Sequence, residues 1–108
     1  MQTLPIPVTR ALRKLGSDIK DARRRRRLPM SIVKQRASIS EPTLIRIERG
    51  DPKVAVGSYA TVLFVLGMAD RLADLVDPKN DPVGRQLEEE NLPKRIRGAT
   101  RQKSPREE

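Results

Sequence analysis

Proline and glycine divide this chain into short pieces. Pro29, Gly50, Gly67 and Pro78 stand where apolar runs end, and within the runs apolar residues recur at three- and four-residue steps. No segment alternates apolar and polar residues as a half-buried strand does. A chain cut this way folds as short amphipathic helices, so the expected class is all-α. Leu12, Leu15, Ile19, Ala22 and Arg23 set the first helix over residues 10–26, with Thr9 as its cap and Gly16 as a weak point inside it. Pro29 opens a second helix, Met30–Ala37, that turns Val33 and Ala37 inward. Ser38 and Ile39 form a turn. Ser40 caps a third helix with Glu41 and Pro42 in its first turn, Leu44 and Ile47 as its stripe and Gly50 after its end. Ser58 caps a fourth helix, Tyr59–Leu66, and Asp70–Val76 forms a fifth. Asp81 and Pro82 open a sixth, reaching about Asn91 and held only by Val83 and Leu87. The expected organisation is a flexible N-terminus over 1–8, a compact helical domain over 9–78, and a short helix with a basic, disordered tail over 79–108.

Composition narrows the chemistry. The 108 residues contain no cysteine and no histidine, so disulfides, thiolate or imidazole metal sites and Ser-His-Asp catalysis are excluded. There is no glycine-rich phosphate loop, and no paired carboxylates lie in an apolar setting. Glu88, Glu89 and Glu90 read as a solvated run. No enzyme, cofactor or metal is therefore expected. The longest apolar run, Val62–Met68, is far short of the ~20 residues that span a bilayer. Residues 1–8 lack the layout of a secretory signal, and no membrane association but a cytoplasmic location is expected. Lys plus Arg number 23 against 14 Asp plus Glu, a net charge of +9. All of that excess lies in residues 1–58, with 14 basic and 5 acidic side chains. Residues 59–93 carry 3 basic and 7 acidic, and Lys94, Arg95, Arg97, Arg101, Lys103 and Arg106 form a basic end. A polyanion such as nucleic acid is the simplest partner for such a field; a solvated surface that aids solubility is the plainer alternative.

Two short helices joined by three or four residues, the second polar at its start, match a DNA-reading unit whose second helix enters the major groove. Positions one, two, three and six of that helix are Glu41, Pro42, Thr43 and Arg46. Glu accepts from a cytosine amine, a Thr methyl meets a thymine methyl, and Arg is bidentate to guanine. An ordinary bundle in which two short helices meet at an angle gives the same spacing.

The run Ser40-Glu41-Pro42-Thr43-Leu44-Ile45-Arg46-Ile47-Glu48-Arg49-Gly50 resembles the recognition helix of the Xre/Cro/phage-repressor family of transcriptional regulators. The resemblance extends from about Leu15 to Leu75, through Ile19-Lys20-Asp21-Ala22-Arg23 and Ala55-Val56-Gly57-Ser58-Tyr59. It implies a five-helix, lambda-repressor-like helix-turn-helix domain binding double-stranded operator DNA. By the same resemblance Glu41, Pro42, Thr43 and Arg46 read bases, while Ser40, Arg49 and Lys53 meet phosphate. Arg23 and Glu48 match the family's ion pair between the first and third helices. The family usually begins its second helix with Gln, which grips phosphate. Met30 stands there, so Ser31, Lys34 or the Arg24–Arg27 run is expected to substitute, with Arg26 and Arg27 leaning to phosphate and Arg24 and Arg25 divided between phosphate and a solvated helix end.

Residues 59–67, 69–75 and 81–85 look like the regulators encoded beside HipA-type kinase toxins. The resemblance to these HipB-like antitoxins implies a bacterial repressor, nucleoid-associated when bound, that controls its own operon as a homodimer and binds the kinase. A stand-alone Xre-type repressor is the alternative. A basic RNA-binding protein fits less well, since Tyr59 and Phe64 both fall in an apolar run rather than on a stacking surface. The dimer seam is expected at the end of the fourth helix and on the fifth, around Leu66, Met68, Leu72 and Val76.

Overall fold

A computed structural model describes residues 3–98, with side chains through Asn91. Among the described residues the chain is all-helical, with no strand: α1 Ile6–Arg25, α2 Met30–Ala37, α3 Glu41–Glu48, α4 Val56–Val65, α5 Ala69–Ala73, a 3-10 turn Pro78–Asn80, and α6 Pro82–Gly98. Two compact units divide it, Met1–Leu72 and Ala73–Glu108.

The first unit is built around Ile19 and Ala22 of α1, Val33 and Ala37 of α2, Leu44 and Ile47 of α3, Tyr59 and Val62 of α4, and Leu66. These are the positions that the three- and four-residue spacing turns inward. α1 packs on α3, and α2 packs on both α3 and α4. α1 and α3 meet backbone to backbone at Gly16, where a Cβ would lie 2.5–2.8 Å from the Ile47 carbonyl, the Gly50 amide and the Glu48 carbonyl. Gly16 therefore lets α1 lie directly on the backbone of α3. Gly50, at φ +75°, ends α3 against Leu12 and Arg13.

Several boundaries differ from the sequence expectation. α1 begins at Ile6, not after Thr9. Pro5 takes the N-cap position and Pro7 the first turn, where a missing N–H costs no bond. The Thr9 amide already bonds the Pro5 carbonyl at 3.1 Å, so Thr9 lies inside the helix rather than capping it. α4 begins at Val56 with Ala55 at its cap. Ser58, expected as the cap, donates its amide to the Ala55 carbonyl and sits within the first turn. The fifth helix closes at Ala73, and Leu75 and Val76 are exposed.

In the second unit, the Asp77 carboxylate caps the 3-10 turn by accepting from the Lys79 amide at 2.9 Å. Asp81 opens α6 by accepting from the Gly84 amide at 3.0 Å. α6 then continues through Pro93 to Gly98, where disorder was expected. Pro93 costs it a backbone hydrogen bond without ending it. The expected tail beyond residue 98, with Arg101, Lys103 and Arg106, lies outside the described residues. No described helix is long and apolar enough to cross a membrane.

Candidate nucleic-acid interface

α3 is fixed from both sides. Leu44 and Ile47 are fully buried, which leaves Glu41, Pro42 and Arg46 exposed on the opposite face and Thr43 at its edge. Ser40 Oγ accepts from the Thr43 amide at 3.2 Å and lies 2.9 Å from Thr43 Oγ1. That closes the helix start and ties the Thr43 hydroxyl to it. α2 and α3 are joined by Ser38 in the left-handed region, φ +56°.

The C-terminal end of α3 is held by Arg23. Its Nε donates to Glu48 Oε2 at 2.7 Å and Nη2 to Oε1 at 3.1 Å, while Nη1 donates to the Leu28 carbonyl at 3.1 Å. With side chains 12% and 6% exposed, this is a nearly buried bidentate pair. It locks α1, the α1–α2 turn and α3 into one frame. Neither residue is free to touch a ligand.

Beside α3 an open cleft is lined by Thr43, Arg46, Asp51, Lys53, Val54, Ala55 and Ser58. The loop that forms its floor is pinned twice. The Lys53 amide donates to Asp51 Oδ1 at 2.8 Å, and the buried Tyr59 hydroxyl donates to the Asp51 carbonyl at 2.7 Å. Burial and the neighbouring Asp51 push the Tyr59 phenol above its ordinary value, which keeps that donor protonated. This role of Tyr59 is not visible in the sequence. An aromatic inside an apolar run carries no signal that its hydroxyl anchors a loop eight residues earlier.

The remaining expected residues are placed as follows. Ser31, Arg27, Arg49 and Lys53 are exposed. Lys34 Nζ pairs with Glu41 Oε1 at 3.3 Å, so a residue expected on phosphate and one expected on a base engage each other across α2 and α3. Arg26 turns back on its own helix, Nη1 donating to the Ala22 carbonyl at 3.0 Å, which spends one of its donors on the α1 end rather than on a phosphate. Met30, at the start of α2, packs against the core. The residues expected at a dimer seam differ in burial. Leu66 is only 3% exposed and belongs to the core, because α4 turns it inward with Tyr59 and Val62. Met68 packs against that core, Leu72 is half-buried, and Val76 belongs to the second unit.

Among the described residues no cluster of acidic side chains could hold a metal ion. Compared with family models, curated proteins and solved structures, the chain matches none.

Proposed function

We propose that this chain is a sequence-specific, DNA-binding transcriptional repressor with a lambda-repressor-like helix-turn-helix domain. One observation carries the reading: α3 is clamped by its buried stripe and by the Arg23–Glu48 pair, while Thr43, Arg46 and Lys53 line one open cleft at its outer edge. A recognition helix needs this combination, since base discrimination requires side chains on a helix that cannot roll. Arg46 is exposed and carries no ion pair among the described residues, and its guanidinium is the group to read guanine. Pro42 and Glu41 flank it at the helix start. Around them Ser31, Arg27, Arg49 and Lys53 supply backbone contacts, and Met30 contributes packing in place of the usual phosphate grip.

The same reading takes the protein as a HipB-like antitoxin that pairs with a second copy and with a HipA-type kinase. The resemblance of residues 59–85 supports this, and so do the exposed apolar residues Leu75, Val76, Val83 and Leu87 of the second unit, which are suited to a protein partner.

Selection of binding sites from random duplexes tests the reading. An enriched motif is expected, with affinity that falls steeply as salt rises. Arg46→Ala is expected to cost about 1–3 kcal/mol and to relax one base position. Lys53→Ala is expected to weaken all sequences alike and lower the salt slope by about one unit. A flat selection, or an Arg46→Ala variant with unchanged preference, refutes the assignment.

A further inference from the structure

α4 has no charged side chain, and the uncharged stretch around it runs from Val54 to Ala69 in a chain that is 34% charged. Its inner face is accounted for by Tyr59 and Val62. At 100° per residue its outer face is Val56, Gly57, Ala60, Thr61 and Phe64, and here Val56 is 71% and Phe64 69% exposed. A surface helix presents charge to water; one with no charge on any side and two large apolar residues exposed leaves a face suited to being covered.

Gly57 identifies the cover. A Cβ there would meet nothing within 4 Å, and the residue has no left-handed backbone. Nothing among the described residues asks for glycine there, although glycine weakens a helix relative to alanine. Gly57 and Phe64 lie seven residues, or two turns, apart on the outer line of the helix, with Ala60 and Thr61 midway between them. A two-fold axis through that midpoint lays α4 antiparallel on its own copy. Phe64 of each chain then falls on the gap left by Gly57 of the other, and the small Ala60 and Thr61 meet across the axis. The face is complementary to itself, as an isologous contact must be. Charge points the same way. Two chains of net charge +9 repel, and they approach with least cost through a face that has no charge to desolvate.

We propose that the outer face of α4 is the surface through which two copies of this chain pair, with Phe64 as its anchor. The proposal deepens the regulator reading, since a pair presents two recognition helices. It places the seam on the outer face of the fourth helix rather than at its end and on the fifth.

The chain has no cysteine, so single cysteines report the contact directly. By sedimentation equilibrium the full chain is expected to be a dimer at tens of micromolar. Phe64→Asp is expected to raise the dissociation constant at least about 30-fold, the scale of an interface hot spot. Its circular-dichroism spectrum should be unchanged, because the side chain makes little of the protomer core. On oxidation Ala60→Cys is expected to cross-link two chains and Lys20→Cys, exposed on α1, is not. Adding Phe64→Asp abolishes the Ala60→Cys link. A monomeric wild type, a Phe64→Asp variant that still pairs, or equal cross-linking at positions 20 and 60 overturns the proposal. Binding to a duplex with a single half-site reads the regulator function separately. If pairing is absent but Arg46-dependent site selection persists, only the α4 surface fails. If chains pair through α4 and select no sequence, the surface stands and the regulator reading fails.

Discussion

Gly16→Ala is expected to destabilise the first unit, although it improves local helix propensity. In an open helix the change gains about 1 kcal/mol. Here the new Cβ would lie 2.5 Å from the Ile47 carbonyl, 2.6 Å from the Gly50 amide and 2.8 Å from the Glu48 carbonyl. All three are backbone atoms of α3 or the residue that ends it, so no side chain can swing aside. α1 must draw away from α3 by about 1 Å to reach ordinary contact distance. That loosens Ile19 against Ile47 and stretches the Arg23–Glu48 bonds, which span the same two helices. Overpacking of this kind costs about 1–3 kcal/mol, and occasionally more. With three rigid contacts we place it at the upper end, so the net loss is about 2 kcal/mol after the propensity gain. For a domain of this size that lowers Tm by roughly 8–16 °C. Thermal denaturation followed at 222 nm measures it. Gly57→Ala in the Phe64→Asp background is the control: its Cβ enters open space, and it is expected to raise stability by about 1 kcal/mol. A Gly16→Ala variant that melts at or above the wild-type temperature refutes the backbone-contact argument.

Glu48→Ala leaves Arg23 buried without its carboxylate and is expected to cost about 3 kcal/mol in chemical denaturation; replacing both residues with apolar ones of similar volume recovers most of it. Equal stabilities for wild type and Glu48→Ala would show that water already solvates the pair. Ser38 holds a left-handed backbone that costs a non-glycine residue about 1–2 kcal/mol. Ser38→Gly, after its own entropic penalty, is expected to stabilise by up to about 1 kcal/mol in the same assay. Tyr59 is the only tyrosine, so ultraviolet absorbance near 295 nm titrates it alone. Its folded pKa is raised, so the unfolded chain loses the proton first. The associated stability is complete below the ordinary value near 10 and is lost as pH climbs through the folded value. A midpoint at or below 10 in the folded protein would contradict the buried Tyr59–Asp51 bond.

Spacing along the chain was enough to locate the α2–α3 unit. Val33, Ala37, Leu44 and Ile47 recur at helical intervals with Ser40 and Gly50 as punctuation, and both helices and their buried faces follow from that pattern. Asp81 as the start of α6 was legible for the same reason, since a carboxylate that caps a helix acts on amides within three residues of itself. The pairing of Arg23 with Glu48 came from family likeness, because no local rule relates residues 25 positions apart. What tertiary structure alone decided is which local option prevails. Prolines at 5 and 7 suit either a loose end or a helix start, and the chain takes the helix. Gly16 reads locally as a weak point, yet its missing Cβ is what admits the α3 backbone. An uncharged run such as 54–69 does not reveal which residues face the core, so Leu66 looked as available as Phe64. Only the direction from which α2 packs on α4 buries the one and leaves the other in water. Periodicity and caps act within a turn or two of the residue concerned, whereas burial depends on where the rest of the chain lies.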